Sequence, residues 1–432
     1  MDALTRAGLI AVRSLARKRE PSVRRAMEDF PDVLTPALAE IERTYPVYML
    51  RPPTAADVEA HLRCLRAALP DMEDARRAVR EGSLRRYLGI RPLKLEMDVV
   101  NQCNLRCVMC HFSNPEFYRR RKEDLAPEAF ARIADQVFPL CSQVSLSIST
   151  EPLMHRGLAG LLERLPAYRV PWVYLHTNGQ LLDEAIIERF IATGFNQLSI
   201  SIDAATQATY ERIRVGGKFS RLLDNLAALN RAKREHGSSL PRLFFNVVLM
   251  RSNIRELPAI VRLAREHEVT GVAAVHLMPF EQAAVDAERE SLATDPELCN
   301  RMLDEAAALA VRLGVHIALP QRFGALRARV SHRDLTFLRP GDYSAPEACC
   351  PFPWHFVGIS AAGSVAPCGW WHSEPLGNIH EEPFEAMWTR AFAGLRREHQ
   401  RGELRPNCQT CPSAGRGSVD DPSTFAVRRI YR

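Results

Sequence analysis

Short apolar runs alternate with helical stretches between Leu93 and Met278, and this alternation constrains the chain more than any other feature of it. LKLEMDV (93–99) switches between apolar and polar with period two, the pattern of a strand. Further strand candidates follow at QVSLSIS (143–149), WVYLHT (172–177), QLSISID (197–203), LFFNVVLM (243–250) and VAAVHLM (272–278). Helical stretches separate them. PEAFARIADQVF opens on Pro127, and LDEAIIERFIATG closes on Gly194, a natural C-terminal cap. Six such strand–helix units predict an α/β fold, a parallel sheet either open or closed into a barrel. In such folds the chemistry sits at the C-terminal ends of the strands.

The flanks read differently. Residues 1–90 carry helical spacing only, in AADVEAHLRCLRAAL (55–69) and MEDARRAVREGSLRRYL (72–88). From about residue 340 there is a small module: ACCPFPW, a hairpin pattern in FVGISAAGSVAPC, a helix in FEAMWTRAFAGLRREHQ, then NCQTCP. The expected domains are therefore a helical region over 1–90, a (β/α)6 unit over 91–325 and a cysteine-bearing module over 340–432. No apolar run is long enough for a membrane span, and the first twenty residues are too interrupted by arginine for a signal peptide. A cytoplasmic protein with reduced thiols is the expectation. The net charge of +6 comes from scattered arginine, with short basic clusters at 17–25 and 119–122 and little aromatic interleaving. That speaks against nucleic acid and suits an anionic substrate or cofactor better. Eleven cysteines are too few for a disulfide scaffold, and seven of them gather in two places, which points to metal.

The first gathering is CNLRCVMC, with Cys103, Cys107 and Cys110 just past the first strand. Three thiols are one short of a tetrahedral zinc site and one too many for a redox pair. The plain alternative is three small buried residues on one helix face. A place directly after a strand of a parallel sheet weighs toward a site. This spacing, on the loop after the first strand of a partial barrel, resembles the radical SAM superfamily. The resemblance implies a [4Fe–4S] cluster on Cys103, Cys107 and Cys110, its fourth iron chelating S-adenosylmethionine (SAM). It implies that the backbone at Met109 meets the adenine, that Ser201 touches the SAM carboxylate or ribose, and that Asp203 faces the substrate. LHTNGQLL (175–182) is similar to the family's third strand end. After the second strand the family carries two glycines and a glutamate. Here Ser149 and Thr150 replace the glycines, small enough to leave room and with oxygens able to replace a backbone contact to SAM. Glu151 and Pro152 remain, and the resemblance implies that Glu151 meets the SAM amine. Arg214, in ERIRVGGKF, is either an anion partner or a solvated helix end, and His111 is a candidate to support the cluster ligands.

The second gathering is Cys350, Cys368, Cys408 and Cys411. Four thiols at these spacings suit a structural zinc ion. The surrounding pattern is also similar to the SPASM/twitch extension of radical SAM enzymes, which implies an auxiliary [4Fe–4S] cluster. Cys349 is a spare, and Cys64, Cys141 and Cys299 lie in apolar runs as core residues. The resemblance implies a flavodoxin- or ferredoxin-type electron donor and a small-molecule substrate that leaves oxidised, its electron passing to the auxiliary cluster. A peptide-modifying maturase and a cluster-bearing scaffold without turnover are the alternatives. The C-terminal module is expected to fold over the barrel mouth where strands 4 to 6 end, with Trp354, Trp370 and Trp371 near the junction.

Overall fold

The computed structural model describes residues 93–277, 283–320, 322–323, 352–368, 374–401 and 403–409. The helices expected over 1–90, with Cys64, lie outside the described residues, as do Cys349, Cys350, Cys411, Trp370, Trp371 and the Trp354 side chain.

Seven strands run parallel in chain order: β1 (Leu93–Met97), β2 (Cys141–Ser145), β3 (Trp172–Thr177), β4 (Gln197–Ser201), β5 (Arg242–Leu249), β6 (Gly271–His276) and β7 (His316–Ala318). The first six are those expected. The seventh escaped because three residues, two of them exposed, give no apolar signal. The crossovers carry α1 (Pro127–Val137), α2 (Leu158–Tyr168), α3 (Glu184–Ala192), α4 (Gln207–Ile213), α5 (Phe219–Glu235), α6 (Leu257–Glu266) and α7 (Pro296–Leu313). Pro127 occupies the first turn of α1, where its missing N–H costs nothing, and Gly194 takes the left-handed conformation just beyond α3.

The two faces of the sheet differ in chemistry. Leu95, Val144, Leu175, Leu198, Phe245 and Val272 point to the helices and join Phe130, Ile133, Leu161, Phe190, Leu226 and Ile260 in one core. The parallel register aligns the alternate residues on the other face: Glu96 beside Ser145, Ser145 beside Tyr174, His176 beside Ser199, Ser201 beside Asn246. That face is polar. The Tyr174 hydroxyl donates to Glu96 Oε1 at 3.0 Å, Lys94 pairs with Glu96 at 2.7 Å, and His176 Nδ1 meets Asn246 Nδ2 at 2.7 Å. A sheet with helices on one face and an inward polar face is the partial (β/α) barrel expected, and Cys141 and Cys299 are fully buried in its core.

The C-terminal module joins this sheet. The hairpin β8 (Phe356–Ile359) and β9 (Ser364–Ala366), followed by β10 (Gly377–Asn378), extends it beyond β1, giving the order β10-β9-β8-β1-β2-β3-β4-β5-β6-β7. Gly363 turns the hairpin with φ of 83°. A helix follows in three registers: Phe384–Met387, a π turn at Trp388–Phe392, then Ala393–Gln400. The expected cap over strands 4 to 6 is thus corrected for the hairpin, which lies along β1. An open β1 edge would leave a row of unpaired main-chain groups, and the parallel ladder from Lys94–Phe356 to Met97–Ile359 pairs them. Because β9 runs back against β8, with Ala366 opposite Gly358, Cys368 lies toward the start of β1.

Candidate active site

Past Met97 the chain enters the cysteine loop, which three neighbouring loops hold in place. Arg106 N–H donates to Val215 O and Val108 N–H to Ile213 O, both at 2.9 Å, so the loop is laddered to the chain leaving α4. Glu151 N–H donates to Gln102 O at 2.9 Å, and Asn178 Nδ2 to Asn104 Oδ1 at 2.8 Å. The loops after β1, β2, β3 and β4 therefore meet at one end of the sheet.

Within that junction Cys103, Cys107 and Cys110 pack with Leu105, Met109, Ile213, Met250 and Leu277. Burial raises all three thiols, that of Cys110 up to about 12, and outweighs the nearby Arg214 guanidinium at Cys107. Metal ions displace the thiol protons. No group of three or more His, Cys, Asp or Glu among the described residues closes around a single ion. Each thiolate of an iron–sulfur cube binds a different iron, so a wider set is what a cube needs. The donor set and its apolar lining fit the group.

Arg214 supplies the positive charge. Far from a solvated helix end, it is buried, with Nη2 2.6 Å from Asp203 Oδ2 and Nη1 donating to Cys107 Sγ at 3.6 Å. Burial works against its charge, but Asp203 and Cys107 outweigh that and raise its pKa above the ordinary value. Its buried Nε has no hydrogen-bond partner among the described residues. Asp203, expected to face the substrate, is fully buried and lies against the arginine. Its φ of 60°, a conformation Asp tolerates, turns the chain after β4 so that Oδ1 accepts from Val248 N–H at 2.7 Å.

The residues after β2 are also redirected. Asp98, at the end of β1, accepts from Ile148 N–H at 2.8 Å, Ser149 N–H at 3.2 Å and Thr150 Oγ1 at 2.7 Å. This stops β2 at Ser145, before the expected end, and commits both hydroxyl residues to the β1 terminus. Glu151 is only 2% exposed; Oε1 accepts from Thr177 Oγ1 at 2.7 Å and Leu153 N–H at 3.1 Å, and Oε2 from Asn178 N–H at 2.7 Å. A carboxylate this deep needs donors, and the end of β3 provides two of the three, so Glu151 ties the loops after β2 and β3 together. Ser201 ends β4 on the polar face, partly exposed. Met109 is buried, and its main-chain groups have no hydrogen-bond partner among the described residues. His111 is buried with Nδ1 3.7 Å from Cys110 Sγ and its ring 5.0 Å from that of Phe117. Asp98, Asn178, His176 and Asn246 were missed: alternation places a residue on the polar face but does not single out which polar residue acts.

Two expectations follow. Gly179, with φ of 72°, closes the turn that carries Asn178, and a Cβ there would sit 2.6 Å from Leu222 Cδ1. Gly179→Ala should lower stability by about 1–3 kcal/mol in denaturant unfolding. The second concerns pH. Burial pushes Glu151 up from its ordinary 4.5 to about 7. The unfolded chain releases this proton first, so metal-free protein should lose roughly 3 kcal/mol as pH rises between those two values. Urea midpoints at pH 5 and pH 8 check it, and Glu151→Gln should remove most of the difference.

Of the second set, Cys368 follows β9 and Cys408 lies in a short helix, Pro406–Gln409, both partly buried.

Three thiols at the C-terminal end of a parallel sheet, with helices outside and polar residues within, define a cofactor-dependent barrel. The chain matches the radical SAM superfamily over residues 97–264 and the SPASM iron–sulfur cluster-binding domain over residues 349–412. The protein belongs to the radical SAM superfamily and carries a C-terminal SPASM domain. Its cofactors are a [4Fe–4S] cluster with SAM, and an auxiliary iron–sulfur cluster. Among its relatives is the AdoMet-dependent heme synthase of Methanosarcina barkeri, 24% identical over 324 residues, covering 74% of this chain and 88% of the relative. The PqqA peptide cyclase of Granulibacter bethesdensis is 25% identical over 302 residues, covering 69% and 73%. The crystal structure of Streptococcus suis SuiB bound to S-adenosylmethionine shares the fold with a TM-score of 0.55 and 15% identity, over 87% of this chain and 80% of that one.

Proposed function

We propose that the protein is an oxidoreductase that takes a hydrogen atom from a small molecule and releases it dehydrogenated. The observation that carries this reading is the gathering of Cys103, Cys107 and Cys110 in one apolar cluster, with the Arg214 guanidinium against Cys107. When bound, the cluster and SAM supply a 5′-deoxyadenosyl radical by one-electron cleavage, and the auxiliary cluster supplies an electron acceptor.

The chain's own residues bind, orient and exclude water. Cys103, Cys107 and Cys110 hold the first cluster, and Cys350, Cys368, Cys408 and Cys411 the auxiliary one. Leu105, Ile213, Met250 and Leu277 keep the first pocket dry. The open main-chain groups of Met109 suit an adenine edge. The spare Nε of Arg214 suits a carboxylate, with Ser201 at the neighbouring strand end. Asn246 Nδ2 donates to His176 Nδ1, which leaves the His176 proton on Nε2, where it offers a donor to substrate. Burial lowers the His176 pKa, so this donor is neutral. The electron donor is a flavodoxin- or ferredoxin-type protein, and the reaction is cytoplasmic. No helix among the described residues is long and apolar enough to cross a membrane.

A peptide substrate is the second reading, favoured by the likeness to a PqqA peptide cyclase. The name of the heme synthase relative, which covers more of both chains, favours a small molecule. Size-fractionated extract from cells grown in deuterated medium separates the two. Deuterium should appear in 5′-deoxyadenosine with the low-mass, protease-resistant fraction. Transfer only from a protease-sensitive fraction would move the protein to the peptide-modifying class, and no 5′-deoxyadenosine at all would make it a scaffold.

A further inference from the structure

We propose that Asp203 and Arg214 form a fixed cationic donor that raises the reduction potential of the cluster Cys107 helps to hold. This rests on the cluster reading above and adds a tuning role for a pair placed by the fold.

The geometry is built rather than incidental. Arg214 is the residue at which α4 ends: its N–H donates to Tyr210 O at 2.7 Å and its carbonyl accepts from Gly217 N–H at 2.8 Å. Its guanidinium runs inward, buried, between two partners. Nη2 is pinned 2.6 Å from Asp203, and Nη1 is delivered to the Cys107 sulfur at 3.6 Å. Asp203 is itself fixed at three points: its left-handed φ, the Val248 N–H on Oδ1, and Asn253 Nδ2 donating to its carbonyl at 2.9 Å. The guanidinium is therefore placed through Asp203 by β4, β5 and the loop after β5, while the main chain on either side of Arg214 is bonded to the cysteine loop.

One-electron reduction forms and breaks no bond in the protein. The cluster gains one negative charge, and the donor, a flavodoxin hydroquinone or dithionite, loses one electron. A buried N–H⁺ aimed at a ligand sulfur stabilises the more negative state, because little solvent lies between to screen it. Asp203 offsets part of that charge while fixing its place. Neutralising Arg214 should make the cluster harder to reduce.

The test is an EPR-monitored redox titration of anaerobically reconstituted, full-length protein, following the reduced-cluster signal that changes on adding SAM. Arg214→Gln should shift its midpoint to more negative potential with iron content unchanged, and Arg214→Lys, which keeps the charge, should recover part of the shift. An unchanged midpoint in Arg214→Gln at full iron content overturns the proposal. If that variant fails to hold iron, Arg214→Lys decides: its ammonium cannot reach both Asp203 and the Cys107 sulfur as the guanidinium does, so the midpoint should still fall by part of the shift, and a midpoint equal to wild type would overturn the role of the fixed donor. Wild-type protein that takes up no iron would instead defeat the cluster reading itself.

Discussion

Replacing Cys103, Cys107 and Cys110 together by alanine is expected to remove about half of the iron, from about eight atoms per chain to about four, and all cleavage of SAM. The three substitutions act as one, because the thiols share a pocket and a cube held by fewer ligands is open to loss. The fold should survive. The loop keeps its main-chain ladder to Ile213 and Val215, and Asp98, Glu151 and Asn178 still anchor the surrounding chain. Iron analysis and chromatography of 5′-deoxyadenosine check both halves. A wild-type protein holding zinc without iron would sink the assignment.

Cys368→Ala should give the reciprocal result: about half of the iron lost, with SAM cleavage by the first site still detectable. The expectation depends on where Cys368 lies. Its hairpin runs along β1, and the cysteine sits toward the start of that strand, whereas the first set lies beyond the strand's end. Loss of an auxiliary ligand there leaves the cysteine loop and its anchors in place. If substrate oxidation also continued unchanged in this variant, the auxiliary cluster would be structural and the dehydrogenation reading would lose its electron acceptor.

Much of this was legible in the residues. Period-two alternation located six strands because burial on one face leaves an unambiguous pattern, and the loop of three thiols was visible because no common structural motif uses that spacing. What escaped was decided by partners distant in sequence. Nothing around Ser149 and Thr150 announces that Asp98, about fifty residues away, will accept from their hydroxyls. Nothing near Asp203 says that Arg214 will be its partner. The motif position of Glu151 likewise does not report which donors a folded neighbour will offer it, here Thr177 Oγ1 and Asn178 N–H. The hairpin pattern at 356–366 was legible, but its docking strand was not, since main-chain pairing leaves little mark on side-chain composition.

That docking has a consequence for how the chain assembles. β1 is made early and its β8 partner late: Lys94 waits for Phe356. During synthesis β1 emerges with β2 to follow on one side, while on the other its partner among the described residues, β8, comes only at Phe356. Contacts of such long sequence separation slow folding and leave an unpaired strand exposed meanwhile. A strand made late thus completes the edge of one made early, and a ribosome stalled before residue 356 would hold a barrel with that margin of β1 still open.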